Sequence, residues 1–368
     1  MKRLALALAA ASTIALAAQP GGPGGRGPLP SHYTNRSTPL GPVDASAAQR
    51  ACTGKGHARL VCLADLLKKD LKPELLARLQ LPYSVQDARK WSNFPPTVYR
   101  DRVGPTLGEF TPAQLGVVKA LLKEASGTAP DEGFDELEQI LNADDFLKDI
   151  NPNGAFASGH FHVALLGTPA PKGTWQLYFA GHHLTFSNTY VDGVLAGATP
   201  SFRGIEPFTQ FEKNGRSNAP LAQEHAAFAA MLGALTAAQL AEARLPQTYT
   251  DIIVGPQQDN AFPSLRAGVK AASLNDAQRT LAMRAIETFV TDIDPPDAAT
   301  ILARYRRELG ETFIAFSGTT ALGTDNDYVR IDGPSVWIEF SMQPGRVLPG
   351  THPHSVWRDR AADYGGNR

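Results

Sequence analysis

The sequence predicts an α+β fold, in which a largely antiparallel sheet, built from a central and a C-terminal strand block, is covered by helices. Apolar residues alternate at a period of two in two separate stretches, while leucines recur at helical spacing before the first of them. A regular strand–helix–strand alternation, the mark of a parallel sheet, is absent.

The chain opens with Lys2 and Arg3, continues through an apolar run from Leu4 to Leu16, and reaches the small-residue site Ala15-Leu16-Ala17-Ala18. This layout predicts a secretory signal peptide over residues 1–18 and a secreted or periplasmic location. The run is interrupted by Ser12 and Thr13 and falls short of the roughly 20 residues that cross a bilayer, so no membrane anchor is expected. No cysteine follows the cleavage region to accept a lipid. Residues 19–50 begin Gln19-Pro20-Gly21-Gly22 and stay polar and Gly/Pro-rich, which predicts a flexible leader. No second linker-like stretch follows, so residues 51–368 read as a single α+β domain.

Cys52 and Cys62 are the two cysteines, and in an oxidising compartment the pair is expected to close. The short loop limits the entropic stabilisation to about 3 kcal/mol or less. Helical spacing covers Leu63 to Leu79 and returns at Phe134, Leu137, Ile140 and Leu141. Three further helix starts share one device: Thr111, Thr236 and Asn275 each stand three residues before a Gln, the spacing of a capping box. The central strands are read at Phe161, Val163 and Leu165 and at Trp175, Leu177 and Phe179. The C-terminal block comprises Phe313 to Phe316, Tyr328 to Ile331 and Val336 to Phe340, with Gly318 and Asp332-Gly333-Pro334 as turns.

With 35 basic and 36 acidic residues and 43% hydrophobic composition, the chain has the charge balance of an ordinary globular protein. Neither nucleic acid nor an acidic membrane is implied as partner; a small-molecule or polymer-derived substrate is. The basic cluster Arg304, Arg306 and Arg307 fits a solvated helix face. No Gly-x-Ser-x-Gly elbow, phosphate loop, His-Glu-x-x-His helix or Cys-x-x-Cys knuckle occurs.

Six of the nine histidines fall in three tight clusters: His160 with His162, His182 with His183, and His352 with His354. Imidazole is the commonest metal ligand, so clustered histidines beside carboxylates point to a divalent ion, zinc above others. In His352-Pro353-His354 the proline favours extended backbone, and residues two apart then share a face. His182 and His183 are adjacent, so on a strand one of them would face a site and the other pack, unless Gly181 introduces a bulge. His160 and His162 fit a ligand pair or the polar face of a half-exposed strand. Glu339, opposite Val336, Ile338 and Phe340, is a candidate ligand or general base, with Glu206 a second of the same kind. Asp359 is a candidate orienter of an imidazole, and Arg358 a candidate anion stabiliser.

Several separated motifs resemble one family. They are Trp91-Ser92-Asn93-Phe94-Pro95, Gly181-His182-His183-Leu184, Pro200 to Pro207, Tyr328-Val329-Arg330, Ile338-Glu339, His352 to Asp359 and Asp363-Tyr364-Gly365. In this order they are similar to the secreted bacterial family catalogued as domain of unknown function 3500. The resemblance implies export and one unit from about Leu60 to Gly365; it brings no activity. His160 and His162 are outside the pattern.

The residues themselves lead to a secreted metal-dependent enzyme, a hydrolase, with His182 or His183 joining His352 and His354 around the ion. A non-catalytic periplasmic protein that binds a metal or small ligand with the same residues is the alternative. In either case the Gly181–Leu184 and His352–Asp359 segments are expected to meet in one pocket at the edge of the sheet.

Overall fold

The structure is a computed structural model that describes residues 38–366. The expected signal peptide, and the expected leader up to residue 37, lie outside the described residues. The first helices are α1 (Ser46–Ala51), α2 (Gly56–Lys69), α3 (Pro73–Leu79), α4 (Val85–Ala88), α5 (Pro112–Glu124) and α6 (Gly133–Ile150). Later in the chain come α7 (Ala222–Gly233), α8 (Ala237–Ala243), α9 (Asp276–Val290) and α10 (Pro295–Glu308). The Thr111, Thr236 and Asn275 capping boxes all form at the starts of α5, α8 and α9, each side chain exchanging hydrogen bonds with the Gln three residues on.

The sheet is made of β1 (Gln80–Leu81), β2 (His162–Gly167), β3 (Thr174–Gly181), β4 (Leu184–Val191), β5 (Val194–Gly197), β6 (Ser201–Gly204), β9 (Val269–Lys270), β10 (Phe313–Ser317), β11 (Tyr328–Asp332), β12 (Val336–Pro344) and β13 (Thr351–Asp359). The short strands β7 (Phe211–Lys213) and β8 (Arg216–Asn218) form a separate hairpin. The main order is β1-β2-β3-β4-β6-β13-β12-β11-β10-β9, with β5 added on β4. Every pair is antiparallel except β1 with β2. The fold is therefore α+β, as the two blocks of alternating residues imply.

What joins the blocks is a strand without a strong pattern of its own. Four-residue β6 pairs with β4 on one side, Leu184 opposite Arg203, and with β13 on the other, His354 opposite Gly204. Both faces of the sheet are covered, so side chains that alternate along a strand enter two different cores. Leu177 and Phe179 of β3 belong to the core shared with Leu121, Ile140, Phe228 and Phe289 of the helices, whereas Tyr178 and Ala180 belong to a second core with Trp91, Phe202, Val356 and Tyr364.

β13 runs through the middle of the sheet although it contains Pro353, a residue normally confined to sheet edges. Pro353 has no N–H to give, and none is called for by Met342, opposite it on β12, whose own N–H and carbonyl bond Asp327 and Asn326 on the other side; Pro353 faces β6 where that strand ends, and its carbonyl accepts the Ile205 amide at 3.2 Å. Cys52 and Cys62 form the expected disulfide, which ties the end of α1 to the middle of α2. Among the described residues no single helix is long and apolar enough to cross a membrane.

Candidate metal centre

Two hairpins adjoin at one end of the sheet, and the histidines sit there. Gly181 pairs with Leu184, so His182 and His183 are the two residues of a tight turn between β3 and β4, and no bulge is needed. This corrects the strand reading of the pair: in the turn both rings lie on the same side, stacked with centroids 3.8 Å apart. His183 adopts φ +62°, a left-handed conformation that costs a non-glycine residue about 1–2 kcal/mol. The surroundings hold it there. Its N–H donates to the Asn93 carbonyl at 3.2 Å, and its carbonyl accepts from the Gly204 N–H at 2.8 Å. The guanidinium of buried Arg102 donates to the carbonyls of Ser92, at 2.6 Å, and Gly181, at 3.2 Å, and so ties the 92–94 loop to the turn.

On β13, His352 and His354 project to one face and meet His183. Ligand nitrogens of His183, His352 and His354 all lie within 4.8 Å of one another, and all three residues are buried. The closest pair, His183 Nε2 and His354 Nε2, is 3.4 Å apart. Two nitrogens bound to one tetrahedral ion at about 2.0–2.1 Å stand roughly 3.3–3.4 Å apart, so this pair already has the spacing of a coordination edge. Such a group could hold a metal ion. Gly204 makes the approach of the rings feasible: a Cβ there would lie 3.0 Å from His354 Cδ2 and 3.1 Å from His183 Cδ2.

Carboxylates back two of the rings from behind. Asp251 Oδ1 lies 3.0 Å from His354 Nδ1, and Asp144 Oδ1, on α6, lies 2.6 Å from His182 Nδ1. When Nδ1–H donates to Asp251, the His354 Nε2 keeps a bare lone pair, and that lone pair points at His183. Two such nitrogens face to face call for a shared proton or a cation. Burial, reinforced by His182, His354 and His352, holds the His183 imidazole well below its ordinary pKa. Burial, followed by His354, His182 and Arg346, pushes His352 down to about 3. Both rings are neutral at pH 7, the state in which imidazole binds metal. His182 is outside the three-nitrogen group; it stacks on His183 and is anchored by Asp144.

The group opens into a cavity of about 260 Å³. Phe94, Pro95 and Phe156 give it an apolar wall, and Glu206, Asp251 and Arg346 give it charge. Glu206 Oε1 accepts three consecutive backbone amides of the β12–β13 loop, those of Arg346, Val347 and Leu348, each at 2.8 Å. Sequence reasoning singled out Glu206 but not Arg346, Asp144 or Asp251. Nothing in the local sequence of these three distinguishes them from other charged residues, since each reaches the site from a separate segment.

The model of the family described as "Protein of unknown function (DUF3500)" matches residues 53–366. The chain belongs to this family. No curated protein and no solved structure matches the chain. The motifs that carry the family resemblance separate in space into two kinds. The histidines line the cavity, while Glu339, Arg358 and Asp359 are absent from its lining and are engaged elsewhere.

Glu339 is fully buried and accepts from the amides of Ile253 and Val254, at 2.7 and 2.9 Å, the Tyr328 hydroxyl at 2.7 Å and the Trp337 indole at 2.8 Å. It fixes the loop that carries Asp251. Arg358, four residues along β13 from His354 and so roughly 13 Å away, is fully buried between Asp259 and Asp363, at 2.6 and 2.9 Å. Asp359 accepts from Arg304, from Tyr305 at 2.7 Å, and from the amides of Ala361 and Ala362 at 2.9 and 3.0 Å. The structure therefore brings none of these three to the imidazoles, because each is a satisfied buried charge in the framework. His160 and His162 are likewise separate, with Nδ1 atoms at the carbonyls of Ala155 and Gly104, 3.2 and 3.0 Å away.

Proposed function

We propose that the chain is a metal-dependent hydrolase in which His183, His352 and His354 hold a divalent ion, zinc above others. The observation that carries the reading is the convergence of three buried ligand nitrogens within 4.8 Å from segments about 170 residues apart. A zinc held by these three histidines would keep a position for water and would lower that water's pKa to about 7. The His354–Asp251 contact fixes a ring orientation, as carboxylates behind metal-binding histidines do. Glu206 faces the same cavity, and its Oε2 makes no hydrogen bond among the described residues. We assign it as the group that takes a proton from the attacking water, a role worth about 10²–10⁴ in rate. Glu206 lies within the Pro200–Pro207 motif of the family resemblance.

One observation favours a non-catalytic metal- or ligand-binding protein instead: Glu339, the candidate ligand or base, and Asp359, the candidate orienter of an imidazole, are both consumed by the framework. The two readings separate in one experiment. Ester, amide and phosphoester probes are offered to zinc-loaded protein, to chelated protein and to Glu206→Gln. Hydrolysis of one class that is lost on chelation and in Glu206→Gln, with zinc still bound to the variant, supports the hydrolase. Stoichiometric zinc with no turnover of any class leaves the binding protein.

A further inference from the structure

Among the described residues, the cavity lining includes an arginine to which the fold supplies no partner. Arg346 lines the cavity, yet its side chain forms no ion pair or hydrogen bond among the described residues. Arg346 is exposed at the cavity, whereas the buried arginines are spoken for: Arg203 is paired with Glu136 and Asp292, and Arg358 with Asp259 and Asp363. Arg346 is also not a residue on a loose loop. Its backbone amide and the next two are fixed on Glu206 Oε1.

We propose that Arg346 is the substrate-recognition residue of this cavity and that it takes the carboxylate of a small compound with an apolar body. The claim rests on the metal reading of the same pocket, and adds the substrate class. A guanidinium presents a planar fork that matches a carboxylate in two parallel hydrogen bonds. Glu206 and Asp251 face the same space, and their charges oppose a dianion such as phosphate more than a monoanion. Phe94, 41% exposed, and Phe156 offer the apolar wall against which the rest of the molecule lies. At about 260 Å³ the space suits a small molecule or the end of a chain, being just below the usual range of about 300–1,000 Å³ for ligand sites.

The test uses benzoate as probe, with benzamide and inorganic phosphate as controls, and isothermal titration of the full chain in zinc-loaded and chelated forms. Arg346→Gln should weaken benzoate about ten- to a hundred-fold, the range for losing charge-assisted hydrogen bonds of about 1.5–3 kcal/mol. Arg346→Lys should recover part of the loss. Zinc content and melting temperature should match the parent protein in both variants, because the Arg346 side chain makes no hydrogen bond or ion pair among the described residues. Benzoate affinity unchanged in Arg346→Gln, phosphate or benzamide bound more tightly than benzoate, or no benzoate binding at all would each overturn the proposal. If the protein takes up no zinc but the chelated form binds benzoate through Arg346, the metal centre fails and the anion subsite stands.

Discussion

Gly204→Ala tests whether the rings of His183 and His354 act together on one ion. The added Cβ would lie 3.0 Å from His354 Cδ2, 3.1 Å from His183 Cδ2 and 3.2 Å from the Pro353 carbonyl oxygen. Ordinary carbon contacts begin near 3.5 Å, so each ring must retreat by roughly 0.4 Å. The rings flank the glycine, and their Nε2 atoms stand 3.4 Å apart, already at the tetrahedral spacing. Ligand distances tolerate only about ±0.2 Å, so the displacement exceeds what coordination absorbs. The fold should survive. Overpacking costs about 1–3 kcal/mol, and replacing a glycine in a strand returns up to about 1 kcal/mol through the unfolded chain. Zinc affinity should fall about 10- to 100-fold, the loss seen when the groups that orient metal-binding histidines are disturbed. Competition with a chromophoric chelator reads the affinity, and circular dichroism reads the fold. A well-folded Gly204→Ala protein with affinity within two-fold of the parent would refute the claim that both rings bind the ion.

Three further outcomes follow from the framework. Glu339→Gln turns an amide NH2 towards two donors whichever way it sits, since each carboxylate oxygen accepts two hydrogen bonds. It should destabilise the protein by about 2–4 kcal/mol in urea unfolding, and an unchanged midpoint would contradict the assigned network. Glu224→Gln addresses the buried carboxylates around Arg203. Burial first, then Glu136 and Asp292, raises the Glu224 pKa well above its ordinary value, so the folded state keeps a proton that the unfolded state releases above about pH 4.5. Stability from this group is complete at low pH and declines as pH rises, so Glu224→Gln should melt higher than the parent at pH 8 and close to it at pH 4. The reverse order would remove this reading. Replacing Cys52 and Cys62 by Ser should cost about 3 kcal/mol or less, read as a shift in the same urea transition; a shift well above this would mean that the bridge does more than shorten the unfolded chain.

The legible parts of the site were those encoded over two or three residues. His352 and His354 share a face because residues two apart on extended backbone do so, whatever the rest of the fold. The capping boxes and the alternating stretches are local in the same way. Long-range features were not legible. Asp251 and Arg346 reach the cavity from two loops and Asp144 reaches His182 from a helix, and no spacing marks them. Glu339, Arg358 and Asp359 show the opposite failure, since a charge that completes a buried network and a charge that performs chemistry look alike in a sequence. Strands β4 and β13 are harder to read: in β4 the alternation of Leu184, Phe186 and Tyr190 with Thr185, Ser187 and Thr189 is interrupted at Asn188, and in β13 Pro353 argues against a central strand. The His182-His183 turn resembles continuous strand in the sequence because one residue in the left-handed region, here a histidine, is not the glycine that normally signals it.

The most direct test of the central claim is zinc stoichiometry by elemental analysis after the stripped protein is reloaded and desalted, across four single variants. The account predicts one equivalent of zinc in the parent and in His182→Ala, whose ring only stacks on the site, and a loss in His183→Ala, His352→Ala and His354→Ala alike. Less than an equivalent in the parent, or full retention by His352→Ala, would contradict it.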